Sequence, residues 1–358
     1  MEQTSIGVVG TAKNTGKTTT VLGLLDACLS ETLGAGLVGI GYDGEELDHI
    51  TGLPKPNYFL MPPISVATAE ECLLSSQIPH EILVRTGISS VFGEILIARV
   101  KAPGRVILAG PNKAEGISFV LEAFKKIGTD IVLIDGSINR VIPLMEADQV
   151  VFATGASRST DIHKLAKEIE AIHFLFCLGR FIPKDLGLSS EKEIKIVSWN
   201  GKERFVSGNS ICSKESLERV MGQVEASSEF ILIPGIIFFE QWKDALSRFE
   251  KMLRGKQIIL PSPGHILVSG EPVSLMGIIQ CLSKGGSRIS VLKSISMAAV
   301  TVNPSYPEKK DFTGGYTHEY IDEKNLLHAI SKAFPGPVFN MKHPDSGRRL
   351  LRVLKKIK

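Results

Sequence analysis

Apolar residues along the chain fall into two kinds of segment. Short runs at residues 6–9, 37–41, 131–134, 149–153, 230–233 and 297–302 are apolar at nearly every position and rich in β-branched residues. That pattern predicts strands buried on both faces, as in a parallel sheet covered by helices. Between them, residues 18–29, 117–127, 161–172, 214–225, 239–253 and 323–334 carry apolar residues at helical spacing. In the first of these, Val21, Leu22, Leu25 and Cys28 define the inner face. The alternation of strand and helix predicts an α/β fold with a doubly wound, mainly parallel sheet.

Two segments break the alternation. Over 94–110, two strand-like runs flank Ala102, Pro103 and Gly104, and over 193–207 polar and apolar residues alternate around Asn200-Gly201. Both predict β-hairpin insertions, the second more strongly because Asn-Gly suits a two-residue turn with positive φ. A polar linker at 187–193 predicts a first region over 1–185 and a second over 186–358, which either continues the sheet or forms its own α/β subdomain. Residues 346–358 are basic, with Leu350, Leu351, Val353, Leu354 and Ile357 as apolar positions. They predict a helix docked on the sheet rather than a membrane or partner helix.

At 358 residues, with 43% hydrophobic and 22% charged residues, the chain has the composition of a globular protein with a full core. Forty-one Lys and Arg against 38 Asp and Glu leave a net charge of +3, too balanced for affinity built on phosphate neutralisation, so no nucleic-acid partner is expected. The amino terminus shows no basic stretch followed by an apolar one, and the longest apolar run, 230–239, is interrupted by Pro234 and Gly235. No membrane association is expected, and the location expected is the cytoplasm. Five cysteines without a Cys-x-x-Cys pair exclude a disulfide framework or zinc ribbon and fit a reducing compartment. The eight His show no paired metal spacing, and no Gly-x-Ser-x-Gly elbow is present.

The specific chemical signal lies between the first strand and the first helix: Gly10, Thr11, Ala12, Lys13, Asn14, Thr15, Gly16, Lys17, Thr18 and Thr19. In such a loop, backbone N–H groups at a helix amino terminus cradle phosphate, Lys17 reaches the terminal phosphates and the Thr18 hydroxyl serves magnesium. The nucleotide and metal expected are ATP and Mg2+. Five residues separate Gly10 from Gly16 where the common motif has four, so Thr11 stands in the usual first-Gly slot. Asp135, after four consecutive apolar residues and before Gly136, has the pattern of the strand-end carboxylate that holds magnesium. Asp43, in Gly41-Tyr42-Asp43-Gly44, reads either as a second metal or water-orienting carboxylate or as a turn former. Glu45, Glu46 and Asp48 read as a solvated acidic turn. Arg140 reads as a phosphate contact or a surface ion pair, and Thr154, Gly155, Ser157 and Arg158 as contacts for nucleotide or a protein partner at the carboxyl edge of the sheet. Asn303-Pro304 reads as a base-reading position or a plain turn; no Asn-Lys-x-Asp guanine signature occurs.

The loop spacing resembles that of dethiobiotin synthetases, members of the SIMIBI class of P-loop NTPases, and its Lys-Asn-x-Gly-Lys-Thr-Thr portion resembles the molybdopterin-guanine-dinucleotide accessory protein. Together with Gly41-Tyr-Asp-Gly-Glu, Arg85-Thr-Gly-Ile, Leu108-Ala-Gly-Pro, Leu133-Ile-Asp-Gly, Ala153-Thr-Gly-Ala and Ala299-Val-Thr-Val-Asn-Pro, the loop resembles the ordered landmarks of the KamB family, the small ATPase subunit of lysine 5,6-aminomutase reactivases. Residues 187–225 match none of those landmarks. The resemblance implies an ATPase that works with a larger ATPase subunit to restore a cobalamin- and pyridoxal-phosphate-dependent mutase. In it Lys17 and Asp43 would be catalytic, Thr18, Asp43 and Asp135 would hold the metal, and Asn303 would join the loop in binding nucleotide. The class also implies a homodimer; Lys13 lies three residues before Gly16, where the lysine that crosses such dimers lies four before. The alternative is an ATP-dependent small-molecule ligase or kinase of the dethiobiotin synthetase type. A metallochaperone is disfavoured by the dispersed Cys and His, and a nonenzymatic binding module by the intact Lys17, Thr18 and Asp135.

Overall fold

Seven successive buried residues, Thr4–Gly10, form β1, the strand about which the first unit of the structure is built. The structure, a computed structural model, describes residues 3–41, 58–182, 192–239, 248–249, 251–309 and 316–356. They divide into two compact units, residues 1–166 with 296–358, and residues 167–295.

After β1 come α1 (Lys17–Ser30), β2 (Ala35–Gly39), β3 (Tyr58–Leu60), β4 (Ser65–Ala69), α2 (Glu70–Ser75), β5 (His80–Ser90), β6 (Gly93–Val100) and β7 (Gly104–Val106). The chain then forms α3 (Ala114–Lys126), β8 (Ile131–Ser137), a 3-10 turn leading into α4 (Val141–Leu144), β9 (Gln149–Gly155) and α5 (Ile162–Phe176). The second unit holds β10 (Glu193–Ser198), β11 (Glu203–Ser207), α6 (Lys214–Met221), β12 (Ser228–Leu232), β13 (Gln257–Leu260), α7 (Pro263–Leu267), α8 (Pro272–Lys284) and β14 (Arg288–Val291). Back in the first unit follow β15 (Ser296–Asn303), β16 (Ser305–Lys309), β17 (Tyr316–Tyr320), α9 (Glu323–Ala333), β18 (Val338–Asn340) and α10 (Ser346–Lys356).

The first unit carries a nine-stranded sheet in the order β18-β15-β9-β1-β8-β2-β4-β6-β5. Its pairs are parallel from β18 to β4, and only the edge pairs β4·β6 and β5·β6 are antiparallel. This is a doubly wound α/β fold with a mainly parallel sheet, in which β1 lies directly beside β8, the strand that carries Asp135. The apolar-throughout runs are parallel strands for the stated reason: Ile131, Val132, Leu133 and Ile134 are all fully or almost fully buried.

Two sequence expectations change. The hairpin at 94–110 does not form: β6 pairs with β5 through the short turn after Ser90, and β7 pairs with β3 instead. The turn signal at Ala102-Pro103-Gly104 ends one strand and starts another, but the partner each strand takes is set by burial elsewhere in the unit. The division at residues 185 and 186 also differs from the observed one. Residues 296–358 belong with the amino-terminal half, because β15 extends the first sheet along β9, with Thr301 opposite Ala153. The linker at 187–193 falls mostly outside the described residues, as does most of the helix expected over 239–253.

The hairpin at 193–207 forms as β10 and β11, on the edge of a five-stranded sheet ordered β11-β10-β12-β13-β14. The terminal helix also forms, packing mainly against α1 and touching β15 and β18 of the sheet on which it was expected to dock. Leu350, Leu351 and Leu354 are fully buried, each contributing about 1.5–3 kcal/mol of apolar burial. The Leu354 carbonyl accepts from Gln149 Nε2 at 2.7 Å, and Lys355 pairs with Glu31 at 3.0 Å. Contact is so close at one point that a Cβ on Gly347 would lie 2.2 Å from the Gly23 carbonyl oxygen.

Candidate nucleotide site

The carboxyl ends of β1, β8, β9 and β15 lie at one edge of the sheet, where doubly wound folds bind ligands. From β1 the chain turns through the glycine-bounded loop into α1. Asn14 (φ 61) and Gly16 (φ 90) both take left-handed backbone, which turns the loop back over its own helix. Thr15 Oγ1 donates to the Ala12 carbonyl at 2.9 Å, closing the loop internally. At the start of α1 no side chain caps the helix and no acidic residue occupies the first turn. Its N–H groups and the positive end of its dipole are therefore left for an anion.

Neighbouring strands hold this loop in place. The Thr11 N–H donates to the Ala153 carbonyl at 3.0 Å, and its hydroxyl lies 3.2 Å from Thr154 Oγ1. Asn303 Nδ2 donates to the Asn14 carbonyl at 2.8 Å, and the Thr20 and Thr301 hydroxyls meet at 2.8 Å across α1 and β15. A Cβ on Gly155 would lie 2.0 Å from the Asn303 carbonyl oxygen, so this position keeps β9 and β15 in close contact at the site. The residues predicted from sequence at 154–155 and 303 thus meet at the loop, and in this arrangement they brace it. Asn340, the last residue of β18, and Met341 and Lys342 after it join Thr15, Gly16, Thr19, Thr20, Thr301 and Asn303 around a cleft beside it. Sequence reading missed the contribution of β18, whose only local signal is a polar Asn-Met-Lys after a short apolar run.

Opposite the loop, Asp135 and Lys17 converge. Lys17 Nζ lies 2.8 Å from Asp135 Oδ1 with the two side chains 27% and 13% exposed. The approach is a charge contact rather than an aligned hydrogen bond, and the Asp135 oxygen is otherwise enclosed. Tyr58, at the start of β3, places its hydroxyl beside Asp135 and Thr18; burial first, then the negative charge of Asp135, push its pKa well above the usual tyrosine value. That hydroxyl too is enclosed without an aligned partner. Enclosed, incompletely paired oxygens next to the Thr18 hydroxyl are the donor set a hard divalent cation takes, so Thr18 and Asp135 fit magnesium. No local sequence pattern marks Tyr58, which stands far from the loop in the chain.

Arg140 Nη1 donates to the Ile40 carbonyl at 3.1 Å, so this side chain secures the chain after β2. Asp43, Glu45, Glu46 and Asp48 lie outside the described residues. Among the described residues no cluster of three His, Cys, Asp or Glu forms a separate metal site, and no helix is long and apolar enough to cross a membrane.

No family model and no curated protein matches the chain. Among solved structures it is similar to the MinC:MinD cell division protein complex of Aquifex aeolicus, at 12% identity over 99% of this chain and 95% of that one, with a TM-score of 0.27. A second similar structure is pNOB8 ParA bound to nonspecific DNA, at 10% identity over 99% and 98% of the two chains, with a TM-score of 0.28. At those scores neither likeness bears on fold or function, which rest on the sheet order and on the site itself.

Proposed function

We propose that this chain is a magnesium-dependent nucleoside triphosphatase that uses ATP. The observation that carries the reading is the meeting of Lys17, Thr18 and Asp135 at the ends of two adjacent parallel strands, beneath an uncapped helix amino terminus. The loop N–H groups would receive the phosphates. Lys17, held by Asp135 in the free protein, would turn to the terminal phosphate and offset the charge that develops there. Thr18 and Asp135 would hold magnesium, which when bound neutralises charge on the phosphate oxygens. Asp43 is proposed as the carboxylate that orients the attacking water, from its place in the sequence.

Within that reading, the ordered sequence landmarks support a narrower role. The chain would work beside a larger ATPase subunit, its turnover driving reactivation of a cobalamin- and pyridoxal-phosphate-dependent lysine aminomutase, and it would act as a homodimer. The loop spacing, with five residues between Gly10 and Gly16, keeps an ATP-dependent small-molecule ligase or kinase as the second reading.

One experiment addresses both. Phosphate release from ATP is followed with the purified protein alone, and again with inactivated mutase and the larger subunit while mutase activity is tracked. Recovery that requires ATP and Lys17 supports the reactivase role. Hydrolysis without recovery removes it and leaves the small-molecule reading, while absence of any ATP turnover or binding removes the nucleotide reading itself.

A further inference from the structure

Tyr58 belongs to a three-residue strand in which Tyr58 and Leu60 point inward while Phe59 points out at 51% exposure. Its ring is packed in the same apolar cluster as Leu37, Leu60, Val66 and Leu133, and the residue is only 7% exposed. A ring held on all sides by core residues fixes where its hydroxyl sits. That hydroxyl is the one part of the side chain that apolar packing does not explain. Burying it without an aligned partner costs about 1–3 kcal/mol, a cost that a Phe at this position avoids. It faces the Thr18 hydroxyl and the Asp135 carboxylate, the two groups that fit magnesium.

Resting on the nucleotide-site reading, we propose that Tyr58 is a positioning residue for the metal, its phenol, unaligned in the free protein, coming to bridge the Thr18 hydroxyl and the Asp135 carboxylate when the cation binds. The chemistry of the three groups sets the direction of the bridge. A hydroxyl that offers a lone pair to a cation must give its proton to an acceptor, and the phenol oxygen of Tyr58 accepts it. The phenol proton in turn is donated to the Asp135 carboxylate oxygen, an acceptor. Thr18 is thereby turned with its lone pair toward the metal position, and Asp135 is held by one oxygen with the other left for the cation. Groups that orient metal ligands in this way are worth about 10–100-fold in metal affinity.

The test compares wild-type protein with Tyr58→Phe, measuring Mn2+ affinity of the ADP complex by electron paramagnetic resonance and ADP affinity in the presence of EDTA. Expected for Tyr58→Phe are unchanged metal-free ADP binding, Mn2+ binding weakened about 10–100-fold, and a raised KM for Mg2+ with kcat restored at saturating Mg2+. Mn2+ affinity within twofold of wild type would overturn the proposal and leave Tyr58 as core packing, whatever happens to the Tm. Wild-type protein that binds no ADP would instead remove the nucleotide reading, an outcome visible before any Tyr58 variant is made. Should Tyr58→Phe fail to fold, fluorotyrosine-labelled wild-type protein gives a second readout, the other four tyrosines being assigned by single Phe substitutions. The Tyr58 fluorine resonance should move when Mg2+ is added to the ADP complex and stay still when ADP is added with EDTA; a resonance indifferent to Mg2+ overturns the proposal.

Discussion

Asn303 illustrates how one side chain can be assigned two roles and how they separate. Its amide donates to the Asn14 carbonyl at 2.8 Å, so it restrains the loop from outside. Asn303→Ala removes one hydrogen bond worth about 1 kcal/mol and is expected to weaken nucleotide binding roughly fivefold, equally for ATP and GTP. A change confined to one nucleotide, seen by competition binding, would instead give Asn303 the base-reading role. Lys17 is a simpler case. Its side chain is 27% exposed and its charge meets Asp135, so Lys17→Ala should leave the circular dichroism spectrum unchanged while abolishing phosphate release. An unchanged ATPase rate in that variant would defeat the site assignment. Asp135→Asn keeps the volume and removes the charge, and a fall of about 100-fold in Mg2+-dependent turnover is expected, measured against Mg2+ concentration.

At the scale of elements, the Ser262-to-His265 segment at the start of α7 carries the clearest pH dependence. Ser262 Oγ and His265 Nδ1 are 2.8 Å apart, and burial lowers the His265 pKa to about 4. The unfolded chain takes up the proton near pH 6.5, the native protein only near pH 4, so stability is lost as pH falls between those values, by about 3 kcal/mol in all. His265→Gln should flatten that part of the profile in urea titrations run at successive pH values. A slope that survives the substitution would place the acid sensitivity elsewhere. The elements themselves were legible in proportion to how local their cause is. Buried parallel strands declare themselves by continuous apolar runs, and Asn200-Gly201 declared its hairpin. The β5–β6 hairpin did not, because its turn is made by Val91 and Phe92, neither a turn former, with Gly93 taking the positive φ of 91. Pairing of β3 with β7, which sets Tyr58 opposite Val106, is a long-range choice that no neighbouring residue encodes.

For the whole molecule the informative fact is that the first unit is assembled from two stretches of chain with residues 167–295 between them. The loop was legible because its glycines, Lys17 and Thr18 are contiguous; its support from β15 was legible only as Asn303-Pro304, since contacts across such a separation leave no spacing to read. Nucleotide binding should therefore be felt in two distant stretches at once. Thr20 meets Thr301 at 2.8 Å and Asn303 meets Asn14 at 2.8 Å, so ordering of the loop by ADP and Mg2+ is transmitted to the end of β15 through hydrogen bonds already in place. Binding at 100 times Kd adds about 2.7 kcal/mol to the stability of the state that binds. Amide hydrogen exchange should consequently slow both over residues 14–20 and over residues 299–303, with neither effect in Lys17→Ala. Protection limited to 14–20 would mean that the loop orders independently of β15, and that the bracing bonds from Asn303 and Thr301 are not maintained when the phosphates arrive.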